Sequence, residues 1–249
     1  MSTSIVVDHA SKRFKLANQT TFKKFAVNAL RGRSLSRSFT ALNEISFTLD
    51  QGESIGLMGL NGSGKSTLLK LISGVMSPDD GEVLTRGRIA GLIEVGAGLH
   101  PDLSGRENIF LNGAILGMTE AEIDRKFDSI VDFSEMEKFL DTEVRHYSSG
   151  MFMRLAFATA VHTDCDIFLI DEVLAVGDQP FRKKCMTRIH ELKAEGRTMV
   201  FVSHNPKQVM KLCERGLVLK AGEMIFDGPA ADAVAAVGYS MDVDEDEEF

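Results

Sequence analysis

The sequence predicts an α/β fold: a parallel sheet with flanking helices, an antiparallel β subdomain at its N-terminal side, and a helical subdomain inserted within it. Two observations predict it. Ile167-Phe168-Leu169-Ile170 and Thr198-Met199-Val200-Phe201-Val202 are short apolar runs, and a helix-patterned stretch, Arg182 to Glu195, separates them. Continuous apolar strands that alternate with helices imply a parallel sheet covered on both faces. The second observation is the middle of the chain. Between about residues 92 and 163, three stretches (Glu107 to Leu116, Glu120 to Asp132 and Phe152 to Val161) carry helix-compatible patterns.

In chain order, Ile5-Val6-Val7 is a short strand candidate, and Phe39 to Leu49 partly alternates apolar and polar residues as a half-buried strand does. Asp50-Gln51-Gly52-Glu53 marks a turn. Ser54 to Met58 then runs into a glycine-rich loop, and Thr67 to Ile72 has helical spacing. Ser77 to Gly81 reads as a turn that closes this unit. Thr119 with Glu122 three positions later predicts a capping box at the second inserted helix. Leu217 to Phe226 reads as a hairpin that turns at Ala221-Gly222. One domain is expected over residues 1–240, with the helical subdomain at about 92–163 and an acidic, disordered tail at 241–249.

Composition narrows the function classes. The chain has 249 residues, 44% hydrophobic and 26% charged, which suits one large α/β domain. No apolar run approaches the 18 or so residues of a membrane-spanning helix. The N-terminus lacks the pattern of a signal peptide, so the chain is expected in the cytoplasm, with any membrane role coming through a partner. Cys165, Cys185 and Cys213 match neither a redox pair nor a zinc cluster. The net charge of −8 is unevenly spread. Residues 11–38 hold Lys12, Arg13, Lys15, Lys23, Lys24, Arg31, Arg33 and Arg37 without an acidic residue, whereas residues 242–249 are almost all acidic. The basic stretch reads as a solvated loop or as a face toward lipid headgroups or an anionic cargo.

The chemistry lies in three places. Gly59-Leu60-Asn61-Gly62-Ser63-Gly64-Lys65-Ser66 matches the phosphate-binding pattern G-x-x-x-x-G-K-[ST], with an apolar strand before it and a helix after it. Glycines let the backbone wrap closely and aim N–H groups at phosphate oxygens, and the helix start adds its dipole. Gly59, Asn61, Gly62, Ser63, Gly64, Lys65, Ser66 and Thr67 are the candidate nucleotide contacts. Lys65 neutralises the β- and γ-phosphates, and Ser66 coordinates Mg²⁺. Asp171-Glu172 ends the first apolar strand, at the sheet edge where ligands bind in open α/β folds. Asp171 is the second metal ligand, and Glu172 is the base that orients and deprotonates the attacking water. His204 follows the next strand, in reach of the γ-phosphate. Together these elements specify a P-loop NTPase core.

Tyr147-Ser148-Ser149-Gly150-Met151, followed by a helix, resembles the signature segment of ABC ATPases, commonly Leu-Ser-Gly-Gly-Gln. It departs at three of five positions and keeps Ser148 and Gly150. The order of motifs then resembles that family over nearly the whole chain. The resemblance implies that Phe14 stacks on adenine, that Glu94 stands where a metal-contacting Gln is usual, and that Gly177-Asp178 reaches across a dimer. It implies ATP and Mg²⁺ as cofactors, and a head-to-tail homodimer in which Ser148, Ser149 and Gly150 of one subunit close the ATP site of the other. It also implies an integral membrane permease as partner.

Leu92 to Pro101, Leu103 to Ile109, Tyr147 to Met151, Asp171 to Asp178 and the extended segment between Phe14 and Phe39 resemble exporters of polysaccharide, O-antigen and teichoic acid. That resemblance implies a glycan cargo of O-antigen, teichoic acid or cell-wall galactan type on a polyprenyl pyrophosphate lipid, and a peripheral position at the cytoplasmic face of the cell membrane. Some relatives carry a further C-terminal carbohydrate-binding β domain, and a chain ending at residue 249 is expected to lack it. Alternative readings are an ABC ATPase for a different cargo, a soluble ABC ATPase acting on ribosomes or nucleic acid, and a small-molecule kinase. With one phosphate loop and no heptad stretch, a nucleic-acid partner is not expected. Ser148-Ser149-Gly150 and Asp171-Glu172 argue against the kinase.

Overall fold

A computed structural model describes residues 2–17, 36–92, 98–171 and 178–238. Glu94 and Glu172 lie outside the described residues, as do the acidic tail and most of the basic stretch. The strands are β1 (Thr3–Ala17), β2 (Ser36–Asp50), β3 (Ser54–Met58), β4 (Asp80–Thr85), β5 (Ile89–Leu92), β6 (Ile167–Ile170), β7 (Thr198–Val202), β8 (Arg215–Lys220) and β9 (Glu223–Pro229). The helices are α1 (Lys65–Ile72), α2 (Gly105–Ile115), α3 (Glu120–Ser134), α4 (Ser149–Val161), α5 (Gln179–Ala194), α6 (Pro206–Leu212) and α7 (Ala230–Val237).

The main sheet has the order β5-β6-β7-β3-β8-β9. Its neighbours are parallel except for the β8–β9 hairpin. Ala221 and Gly222 turn that hairpin with φ of 50° and 84°, positive at both central positions as a type I′ turn requires. β3, β6 and β7 are buried along their whole length, and their side chains alternate between two cores. Phe168, Ile170, Met199 and Phe201 join α5, α6 and α7 on one face. Ile167, Leu169, Val200 and Val202 join α1 and the smaller sheet on the other. Because each face has a cover, the strands show no alternation of polar and apolar residues to mark their period.

The smaller sheet, β2-β1-β4, is antiparallel. Sequence pattern marked three residues of β1, but the strand has fifteen. Beyond its pairing with β4 it continues with β2 as a two-stranded ribbon out to Ala17 and Ser36. The ends of the basic stretch are therefore ladder-paired strand rather than loop. The turn expected at Ser77 to Gly81 gives way to β4 at Asp80. Asp79 ties that corner down, accepting from the Arg13 backbone N–H at 2.6 Å and from Lys12 Nζ at 3.0 Å.

The inserted helices pack around a third core of Ile109, Ile123, Ile130, Val131, Leu140 and Leu155, among others. Both leading helices start with reciprocal capping boxes: Ser104 with Glu107, and Thr119 with Glu122. Hydrogen bonds from Thr119 hold the Glu122 carboxyl down at about 2. Helix α4 belongs to two cores. Leu155, Ala156 and Ala158 face the inserted helices, while Phe157, Ala160 and Val161 face the main sheet.

All three cysteines are free and buried. Burial pushes the thiols up, Cys165 to about 11 and Cys185 and Cys213 to about 12. The thiolate is the nucleophile, so at pH 8 the native chain is expected to resist a thiol reagent such as dithionitrobenzoate and to titrate fully only after unfolding. Rapid labelling of the native protein would contradict this packing.

Candidate functional site

The site is built at the C-terminal edge of β6, β7 and β3, which are neighbours in that order. Ile170 pairs with Phe201, and Val202 pairs with Leu57. Asp171, His204 and Gly59 each follow one of these strands at nearly the same height. This is the crevice where open α/β sheets receive ligands. The structure thus brings together the phosphate loop, Asp171 and His204, which are far apart in sequence. Asp171 is half-buried and His204 is exposed.

The loop that follows β3 depends on glycine geometry. Gly59, Gly62 and Gly64 have φ of 141°, 80° and 110°. A Cβ on Gly59 would lie 2.2 Å from the Leu219 carbonyl oxygen, and one on Gly64 would lie 2.7 Å from that of Ala41. The hairpin turn pins the loop to the smaller sheet. The Gly222 N–H donates to the Ser63 oxygen at 3.0 Å, and the Asn43 N–H donates to the Gly222 oxygen at 2.8 Å. Gly64 opens α1, whose first turn holds no acidic residue, so the helix dipole meets no negative charge from that turn.

Lys65 is 8% exposed. Its Nζ donates to the Gly59 oxygen at 2.6 Å and to the Leu60 oxygen at 3.2 Å. The ammonium is thereby held against the loop's own backbone. Ser66 and Asn61 are exposed, Thr67 is half-buried, and Ser63 is buried. An exposed hydroxyl at a helix start and a carboxylate at the adjacent strand end are hard oxygen donors. Mg²⁺ takes few protein ligands and completes its shell with phosphate and water, so Ser66 and Asp171 fit it. Glu94, the third metal candidate, and Glu172, the candidate base, lie outside the described residues.

Phe14 pairs across the ribbon with Phe39. It stands two residues beyond Lys12, whose partner Leu42 abuts Gly64. The ribbon therefore carries Phe14 about 7 Å, along the strand, from the residue that pairs with the phosphate loop's back wall.

Ser148, Ser149 and Gly150 are not brought to this loop. Ser148 caps α4, accepting from the Met151 N–H at 3.2 Å. Helix α4 packs on α2, α3, α5 and β5, and β5 lies at the sheet edge three strands from β3. A Cβ on Gly150 would meet nothing nearer than 3.9 Å, and its φ is not positive. Alanine is the better helix former, and no packing reason for glycine is found among the described residues.

The neighbouring motif residues have structural duties that sequence reading missed. A Cβ on Gly105 would lie 2.2 Å from the Tyr147 hydroxyl, which donates to the Phe139 oxygen at 2.7 Å. Buried Asn108 donates to the carbonyls of His100, Leu103 and Ser104. These residues lash the 98–104 loop to the start of α4. Sequence gave no sign of these contacts, since Gly105 and Tyr147 are far apart along the chain.

The chain is similar to known proteins in sequence and in fold. The profile of the ABC transporter family matches residues 42–175. The chain is 46% identical over 233 residues to the O-antigen export system ATP-binding protein RfbB of Myxococcus xanthus, covering 92% of this chain and 53% of that protein. A Klebsiella pneumoniae protein of the same name is 46% identical, covering 77% of this chain and 76% of its own length. The teichoic acids export ATP-binding protein TagH of Listeria innocua is 41% identical, covering 92% and 68%. The chain thus spans about half of the Myxococcus relative. Among solved structures, an ATP-binding subunit of an ABC transporter superposes with a TM-score of 0.73 at 23% identity, covering 95% of this chain and 94% of that one. A bacterial ABC transporter cassette solved as a dimer also gives 0.73, at 24% identity, covering 91% and 98%.

Proposed function

The chain belongs to the ABC transporter family, and from that premise we propose that it is the ATP-binding and ATP-hydrolysing subunit of an exporter for a lipid-linked polysaccharide of the O-antigen or teichoic acid type. The observation that carries the reading is the convergence of the phosphate loop, Asp171 and His204 on one sheet edge, in a chain 41–46% identical to O-antigen and teichoic acid export ATP-binding proteins.

In this reading residues 1–240 form one nucleotide-binding domain, with the helical subdomain at about 92–163. The backbone of Gly59 to Thr67 wraps the phosphates, and Lys65 exchanges its loop carbonyls for phosphate oxygens. Phe14 meets the adenine. Ser66, Asp171 and Glu94 hold Mg²⁺, which neutralises charge on the transferred phosphate. Glu172 orients the attacking water and takes its proton, and His204 holds the γ-phosphate. Ser148, Ser149 and Gly150 reach this phosphate from a second copy, so two copies share two ATP molecules. The position of α4 away from its own phosphate loop supports that division, as does the open space over Gly150.

ATP acts as a ligand with unequal affinity for the open and closed dimer, the condition for doing work on a partner. The partner is an integral membrane permease, and no helix among the described residues is long and apolar enough to cross a membrane itself. The subunit sits peripherally at the cytoplasmic face, with the glycan held mainly by the permease and no nucleic acid involved.

Removing this chain from its host is expected to stop delivery of surface polysaccharide and to leave polyprenyl pyrophosphate-linked glycan behind, read by lipid extraction and surface labelling. Unchanged surface polysaccharide, in a host from which the ATPase has been lost, contradicts the cargo.

A further inference from the structure

Helix α4 contributes buried residues both to the core of the inserted helices and to that of the main sheet, and a side chain on it bridges the two sides. Arg154 lies one helical turn below Gly150, on the same face. Its guanidinium donates to Glu135 Oε2 at 2.5 Å and to Asp178 Oδ1 at 2.6 Å. The same group lies 4.6 Å from the centroid of the Phe181 ring. Glu135 ends α3 in a left-handed conformation, and Asp178 starts α5. One planar fork therefore ties three helices together, which the five fixed donors of arginine suit and the point charge of lysine does not.

The surroundings form a joint. Phe133 of α3, Phe157 of α4 and Phe181 of α5 pack together with ring centroids 5.8 to 6.2 Å apart, the first two stacked and Phe181 edge-on to both. Lys184 of α5 donates to the Phe133 oxygen at 3.0 Å and to Glu135 at 3.3 Å. Asp178 stands at the N-cap of α5 but makes no side-chain cap bond. An aspartate there ordinarily accepts from the N–H of the second or third helical residue. Pro180 removes one of those donors, and the Asp178 carboxylate turns to Arg154 instead. A local rule set aside in favour of a long-range contact is the pattern expected where a site must be positioned.

We infer that Arg154 is a positioning residue: by gripping Glu135 and Asp178 together, it fixes the angle of α4, and hence of the Ser148–Gly150 helix start, against α5 and the sheet edge that carries Asp171. The inference rests on the ATPase reading above. It assigns Arg154 no contact with nucleotide in its own subunit. Its loss tilts a remote wall of the shared site and leaves the phosphate loop intact. Glu135 and Asp178 are 52% and 58% exposed, so removing Arg154 strands no charge in the interior, and the fold persists.

The test uses the purified chain with Arg154→Met, Asp178→Asn and the double variant. A fluorescent ATP analogue measures binding to the single subunit, and phosphate release measures turnover. Single-subunit binding is expected to stay within about twofold of the parent. Turnover is expected to fall roughly 10- to 100-fold, the scale of a small misplacement of reacting groups. The double variant is expected to fall no further than Arg154→Met, because both changes remove one contact. Arg154→Lys, which serves one carboxylate at a time, should recover part of the rate. Should Arg154→Met not fold, Asp178→Asn alone carries the test, since its carboxylate is exposed. Parental turnover in Arg154→Met or Asp178→Asn, or additive losses in the double variant, overturns the inference. A parent chain that hydrolyses no ATP overturns the ATPase reading itself.

Discussion

Replacing Lys65 with Met is expected to lower ATP turnover by about 10²–10³-fold, the cost of removing one preorganised electrostatic group from a reacting centre. Nucleotide affinity should fall as well, because Lys65 supplies a full positive charge inside the loop. Its Nζ is already seated among the loop's carbonyls, 2.6 Å from the Gly59 oxygen, so phosphate meets it without rearrangement of the backbone. The methionine stem keeps the packing of a residue only 8% exposed, which separates charge loss from misfolding. Phosphate release and analogue titration check both quantities. Turnover within threefold of the parent, at matched stability, would falsify the role given to the loop.

The second large effect is expected at Glu172. Glu172→Gln should reduce turnover by about 10²–10⁴-fold, the range for a positioned general base, while ATP binding remains. The amide keeps the size of the carboxylate and cannot accept the water's proton. The two variants thus separate the two halves of the chemistry: Lys65→Met impairs binding and turnover, whereas Glu172→Gln impairs turnover alone. A Glu172→Gln chain that hydrolyses ATP normally would remove the base from this position.

Much of this was readable from the sequence because the relevant signals are local. The strands at Ile167–Ile170 and Thr198–Val202 lie between two cores and so appear as unbroken apolar runs. The phosphate loop needs glycine at fixed intervals for its positive φ angles, and that spacing is its signature. Thr119 and Glu122 cap one helix between themselves. What escaped depends on distant partners or on exposure. Strand β4 is almost wholly exposed, so it shows no apolar alternation, and β5 is only four residues long. The outer half of the β1–β2 ribbon is polar, so it resembled a loop. Nothing near Tyr147 hints that it packs over Gly105. Nor does anything near Arg154 point to Glu135 and Asp178, which lie 19 and 24 residues away.

The same distinction separates the two halves of the site. The phosphate loop, Asp171 and His204 converge because neighbouring parallel strands end at one edge. Ser148 to Gly150 start a helix beyond the far edge of that sheet, with an uncovered glycine where an alanine would serve the helix better. In the proposed function one chain holds both halves of the site without joining them, and a head-to-tail pair completes them.

The most direct measurement of that claim is the molar mass of Glu172→Gln by light scattering, with and without saturating ATP and Mg²⁺. Blocked hydrolysis should trap the closed form, so the account predicts a monomer without ATP and a dimer with it. A protein that binds ATP and stays strictly monomeric would contradict the shared site.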